Sequence, residues 1–185
     1  GIIPPVEYWP RLREICDHYG ILFVADEVQA GFGRTGRWFS IEYSGVVPDI
    51  LVMAKGLASG MPLAGLASRR DLMEKWIPGS HGGTYGGNAV CCAAAVATIQ
   101  LMREEKLIES AAAMGEVLMS GLRQLQRQHP EIGDLRGRGP MIASEFTDPQ
   151  GGPWTDRAKA VARASYQQGL LLLTCGSYEN VIRWI

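Results

Sequence analysis

The apolar positions of this chain fall into two kinds of run. Ile21-Leu22-Phe23-Val24-Ala25 and Ile50-Leu51-Val52-Met53-Ala54 are continuous, with no polar residue between them. Such runs, lacking the two-residue alternation of a half-exposed strand, suit strands covered on both faces, as in a parallel sheet. A third short strand is expected over Leu63 to Ser68. Elsewhere the spacing is helical. Pro10 to Tyr19 predicts a helix, because proline tolerates the first turn and Gly20 suits the position just past the end. Ala89 to Met102 is Ala-rich, with Asn88 placed to cap it. Leu107 to Gln128 is amphipathic and closes at His129-Pro130. Beyond it the order reads strand (Met141 to Phe146), helix (Thr155 to Gln168, stopped by Gly169), strand (Leu170 to Thr174) and strand (Val181 to Ile185). Gly31 to Gly45 and Pro78 to Gly87 are glycine-rich and read as loops. Helix, buried strand, loop and buried strand in succession is α/β patterning. Charge rises from Arg103 onward, which divides the chain into a larger α/β part, 1–105, and a smaller C-terminal α/β part, 106–185.

Composition narrows the classes without choosing among enzymes. The 185 residues allow one large domain or two small ones. Hydrophobic residues at 46% and charged residues at 20% are ordinary for a globular chain. A net charge of -1 offers no basic field for nucleic acid or an anionic membrane. No apolar run approaches the roughly 20 residues that span a bilayer, and no basic-then-apolar leader opens the chain. Cys16, Cys91, Cys92 and Cys175 form no C-x-x-C pair, and no His stands at ligand spacing from them. They read as reduced thiols of a cytoplasmic protein, with no metal site expected. The chain opens at Gly1 without Met and stops inside the apolar run Val181 to Ile185, which predicts a piece of a longer protein.

Four groups could carry chemistry. Asp26-Glu27-Val28-Gln29 follows the first buried run directly, and the C-terminal ends of parallel strands line ligand crevices. Asp26 is therefore a ligand group, or else a surface acid or helix cap. Lys55 follows the second run, in Ala54-Lys55-Gly56-Leu57. Partial desolvation there favours a neutral, nucleophilic amine; the plain alternative is a lysine snorkelling at a strand exit. His81-Gly82-Gly83-Thr84-Tyr85-Gly86-Gly87-Asn88 precedes a helix and could hold a phosphate through backbone N–H groups and the Thr84 hydroxyl, or could be a flexible linker. Arg183 lies in an apolar, strand-like setting, where a guanidinium calls for a carboxylate partner, from a ligand or from the chain itself. Gly31-Phe32-Gly33-Arg34-Thr35-Gly36 matches the G-x-G-x-x-G dinucleotide pattern. It starts five residues after the strand with no helix opening behind it, so binding of a nicotinamide dinucleotide is not expected.

Taken in order, Asp26-Glu27-Val28-Gln29-x-Gly31-Phe32-Gly33-Arg34-Thr35-Gly36, Ala54-Lys55-Gly56 and Gly82-Gly83-Thr84-Tyr85-Gly86-Gly87-Asn88 resemble the class III aminotransferases that use pyridoxal 5'-phosphate. Gly1-Ile2-Ile3-Pro4-Pro5 and His129-Pro130-Glu131-Ile132-Gly133-Asp134-Leu135-Arg136-Gly137 resemble them too, so the likeness covers essentially the whole chain. Within the class the chain looks most similar to 4-aminobutyrate aminotransferases. The resemblance implies fold type I: part of a large domain with a mainly parallel sheet, then a small C-terminal α/β domain. It implies that Asp26 faces the pyridine nitrogen, Gln29 the ring hydroxyl, and Thr84 the phosphate in a neighbouring subunit. Lys55 would form the Schiff base, and Arg183 would hold the substrate carboxylate. The implied reaction passes the amino group of an ω-amino acid to 2-oxoglutarate, in a cytoplasmic homodimer. Acetylornithine or ornithine aminotransferase and dialkylglycine decarboxylase are the alternatives within the class. Ala89 stands where many relatives have Pro. The family's upstream phosphate loop and the aromatic residue that stacks on the ring are absent. A chain limited to these residues is therefore expected to be an inactive fragment with an incomplete pocket.

Overall fold

The computed structural model describes all 185 residues, which form two compact units. The first unit is Pro4–Gly33 with Arg37–Ile108; the second is Gly1–Ile3, Arg34–Gly36 and Glu109–Ile185.

The first unit opens with helix α1 (Tyr8–Tyr19) and strand β1 (Val24–Asp26), then a short helical turn at Ser40–Ser44. Strand β2 (Ile50–Met53) runs into a second helical turn at Lys55–Ala58, followed by β3 (Gly65–Ser68), α2 (Arg70–Met73) and α3 (Ala89–Glu104). β1 and β2 pair in parallel, with Ala25 opposite Leu51 and Asp26 opposite Val52. β3 pairs antiparallel with β2. The connection between these two strands is short and carries no long crossover helix, so the chain must turn back on itself.

β1 is shorter than its apolar run because the end of α1 uses part of that run. Gly20 is left-handed, and the Ile21 N–H donates to the Cys16 carbonyl at 2.8 Å, closing the helix. Burial on both faces is not found. Phe23 and Ala25 pack with Cys16 and Ile41, flanked by Trp9, Leu12 and Leu51, while Val24 on the other face is 48% exposed. Within this chain only α1 and the Ser40–Ser44 turn cover the strand, and they cover one side.

Asp49, just before β2, is the buried anchor of this unit. Its carboxylate accepts the Phe23 N–H at 2.7 Å and pairs with Arg13 at 2.7 Å and Arg69 at 3.0 Å. The Phe23 N–H, followed by Arg13, holds the Asp49 carboxyl below its ordinary value. A depressed carboxyl contributes stability that is fully present above the unfolded value of about 4 and is lost as pH falls through the folded value. Urea unfolding at a series of pH values is therefore expected to show a stability gap between unsubstituted and Asp49→Asn protein that is full above about pH 4 and narrows below it. A gap that stays constant into acid would contradict this role.

α3 begins where the sequence predicted. The Asn88 side chain accepts the Val90 and Cys91 N–H groups at 3.0 and 3.2 Å. Ala95 on α3 packs on Leu57 and Ala58, with Phe32, Met53, Leu63 and Ile99 around them.

Helix α4 (Leu107–Gln128) leads into the second unit, a four-stranded antiparallel sheet of β4 (Ile132–Arg138), β5 (Met141–Phe146), β6 (Leu173–Cys175) and β7 (Val181–Trp184), with helix α5 (Thr155–Gln167) between β5 and β6. The strand order is β4-β5-β7-β6. Ala158 of α5 is fully buried against Ile132, Phe146 and Ile182. β4 was not foreseen, because Ile-Gly-Asp-Leu-Arg-Gly-Arg lacks alternation and holds two glycines. It is an edge strand made by its hairpin with β5. β6 starts at Leu173 because α5 ends through Leu170, whose N–H donates to the Ser165 carbonyl at 2.9 Å. No helix is long and apolar enough to cross a membrane.

Candidate active site

Two of the expected side chains leave the same edge of the first unit's sheet. Asp26 ends β1 and is paired with Val52, and Lys55 follows three residues after Val52, just beyond the end of β2. Neighbouring strands lie about 4.8 Å apart, so the residues bearing a carboxylate and an amine stand at and just beyond the ends of adjacent strands at the C-terminal edge, where α/β sheets bind ligands. Asp26 Oδ1 accepts the Val28 N–H at 3.0 Å, a short local bond that fixes the carboxylate as the chain turns off the strand. Gln29 is exposed on that turn.

Lys55 is exposed. The strand-exit pattern suggested partial burial, but β2 is itself only half-buried and offers no deep apolar wall at its end. Lys55 also has a left-handed backbone, φ 47°. A side chain there costs about 1–2 kcal/mol relative to the right-handed region, and such strain persists only where neighbours enforce it.

Glu27 carries no role in the sequence reading yet is among the most buried charged residues, 4% exposed. Its carboxylate accepts the Ile41 N–H at 2.7 Å and the Ser40 N–H at 3.0 Å, and its own N–H donates to the Val52 carbonyl at 2.9 Å. Burial pushes its carboxyl above the ordinary value, against the downward pull of those two donors. It ties the exit of β1 to β2 on one side and to the Ser40–Ser44 turn on the other. Only its place beside Asp26 could have drawn notice to it.

The glycines of the dinucleotide-like pattern serve close packing. A Cβ on Gly31 would stand 2.8 Å from the Glu27 carbonyl oxygen, and one on Gly36 would stand 3.1 Å from Ala112. Thr84 lies on an exposed turn before Asn88, and a Cβ on Gly82 or Gly83 would meet nothing, so those glycines are free of packing demands.

Arg183 belongs to the second unit. It sits in β7 between β5 and β6, opposite Ala143 and Leu173, on the sheet face away from the Ile182–Ala158 core. Its Nε is buried with no hydrogen-bond partner, so no carboxylate of this chain satisfies that donor. The intramolecular salt bridge weighed from the sequence is not formed there.

The chain matches the family Aminotransferase class-III over residues 1–185. It is 47% identical to a 5-aminovalerate aminotransferase of Pseudomonas putida, over 99% of this chain and 44% of that protein. It is 45% identical to a 4-aminobutyrate aminotransferase of Escherichia coli, over 95% of this chain and 42% of that protein. A transaminase structure from the marine bacterium Virgibacillus superposes with a TM-score of 0.92 at 37% identity, over 99% of this chain and 44% of that one. The chain belongs to the class III aminotransferases, enzymes that depend on pyridoxal 5'-phosphate. It spans less than half the length of these relatives, and its fold is that of part of a type I α/β domain structure. The family read from the three motifs is therefore the right one.

Proposed function

We propose that the protein containing this chain moves the amino group of an ω-amino acid, 4-aminobutyrate or a close homologue, to 2-oxoglutarate. The observation that carries this is the placement of Asp26 at the end of β1 and of Lys55 just beyond the end of β2, its parallel neighbour. The relatives named for 4-aminobutyrate and 5-aminovalerate support the donor class. Those two donors differ by one methylene, which a pocket resolves by only about 1–3 kcal/mol.

The residues suit the cofactor. When bound, pyridoxal phosphate supplies an aldehyde for an amine and a ring that draws electrons from the substrate carbon. Asp26 has one oxygen steadied by the Val28 N–H and serves to keep a proton on the ring nitrogen. Gln29 would donate to the ring hydroxyl oxygen. Lys55 Nζ would hold the cofactor as a nucleophilic amine and would act as the base for the proton on the substrate carbon. The Thr84 hydroxyl and adjacent N–H groups would bind the phosphate in a neighbouring subunit of a homodimer. Arg183 grips the carboxylate of glutamate or 2-oxoglutarate, which is the role its unsatisfied Nε favours. In this reading 1–105 belongs to the large domain and 106–185 to the small one. The protein works in the cytoplasm on small molecules, without nucleic acid or membrane, and this stretch alone is inactive.

The test is the absorbance of the full-length protein with pyridoxal phosphate, before and after 4-aminobutyrate, followed by a donor panel including 5-aminovalerate and ornithine. A near-visible band that donor discharges is expected; no band, or no response to any ω-amine, overturns the reading. Arg183→Lys is expected to raise KM for 2-oxoglutarate roughly 10- to 100-fold, the loss of a charged two-pronged contact. An unchanged KM removes Arg183 from substrate binding.

A further inference from the structure

We infer that Phe32, in the Gly31-Phe32-Gly33 turn, is a positioning residue that holds the backbone of Lys55 in its left-handed conformation and so aims the amine. The inference rests on the reading of Lys55 given above, and it concerns a contact that ties the first motif to the second.

The geometry is local and within one unit. Lys55 and Gly56 occupy the middle of a tight turn closed by the Leu57 N–H donating to the Ala54 carbonyl at 3.0 Å. The position of Lys55, φ 47°, is one that turns normally give to Gly, Asn or Asp. A lysine left to itself there would relax toward negative φ. Phe32 packs against the other middle residue, its Cβ nearest and one side of its ring next. A Cβ added to Gly56 would stand 2.9 Å from Phe32 Cβ, 3.6 Å from Cγ and 3.9 Å from Cδ2. The turn therefore has no room to swing toward Phe32, and Gly56 is the residue that lets it come so close.

Phe32 is itself held on three sides. Its backbone is left-handed, φ 54°. Its N–H donates to the Trp38 carbonyl at 2.6 Å, and the Gly33 N–H donates to the Arg37 carbonyl at 3.1 Å, closing the 32–38 loop. Its ring meets Phe39 edge to face at 5.5 Å and packs against the cluster of Leu57, Ala58 and Ala95. Two residues with left-handed backbones are thus linked through one contact, Phe32 directly and Lys55 through its neighbour Gly56.

The test uses the full-length protein and two readouts besides turnover. One is the rate at which an acylating reagent labels Lys55 in cofactor-free protein, by peptide mass spectrometry; the other is the position and pH response of the near-visible band after adding pyridoxal phosphate. Phe32→Ala is expected to change the labelling rate severalfold, to shift the band's pH response, and to lower kcat about 10- to 100-fold with KM less affected, the scale of a misaimed group. Phe32→Leu keeps bulk against Gly56 and should restore most of each. Ile99→Ala, in the same apolar cluster on α3, should cost thermal stability without moving either readout. Equal changes in Phe32→Ala and Ile99→Ala, or none in Phe32→Ala, overturn the role. If Phe32→Ala does not fold, Gly56→Ala reads the contact from its other side: altered Lys55 labelling supports the role, and unaltered labelling overturns it. A missing band in the unsubstituted protein overturns the cofactor reading and this inference together, whereas a band present but indifferent to Phe32 overturns this inference alone.

Discussion

Replacing Lys55 by Ala in the full-length protein is expected to lower amino transfer by about four orders of magnitude, the upper end for losing a positioned acid–base group. The size follows from the proposed role, in which one amine would both hold the cofactor as a nucleophile and move the proton that the reaction turns on. Lys55→Arg should fail almost as badly. A guanidinium keeps the positive charge at the end of β2 but cannot give up its proton to become a nucleophile. The near-visible band should be missing in both variants, and borohydride treatment should leave no cofactor on the 54–58 peptide. A band of unchanged position in Lys55→Ala would exclude this residue whatever happened to the rate.

Two glycines on the same helix are expected to respond to alanine with opposite signs. A Cβ on Gly115 of α4 would stand 2.2 Å from the carbonyl carbon and 2.5 Å from the Cα of Gly139. Gly139 is pinned in turn, since its own Cβ position lies 2.4 Å from the Thr35 carbonyl carbon. Backbone meets backbone on both sides, and no flexible side chain can yield. Helix propensity favours alanine by about 1 kcal/mol, while overpacking of this kind costs up to about 3 kcal/mol. Gly115→Ala should therefore lose about 2 kcal/mol net. At Gly121 an added Cβ meets nothing within 4 Å, so Gly121→Ala should gain about 1 kcal/mol. Urea midpoints of the two variants check both signs in one experiment. A stable Gly115→Ala protein would mean that the α4–Gly139 contact opens at little cost.

The chemistry of the edge was more legible than its support. Asp26 and Lys55 stood out because each is the first charged residue after an apolar run, and a run's end is a place that sequence shows directly. Glu27 and Asp49 are as charged and more buried, yet they carry no mark in the chain. Their burial depends on donors 14 and 26 residues away, Ile41 N–H and Phe23 N–H. Strand length was misjudged twice for one reason. At Ile21 and at Leu170 a preceding helix finished its hydrogen bonds with residues that hydrophobicity alone assigned to the strand.

Local spacing and composition settled the four longer helices, the Asn88 cap, the two adjacent strands and the order of motifs that places the chain in its family, because those depend on neighbours within a few residues. Which face of β1 is covered, that β4 exists, and how Phe32 meets Gly56 were decided only in three dimensions. Each of these rests on atoms brought together from distant parts of the chain, and a contact between distant residues leaves no periodic trace in the sequence of either one.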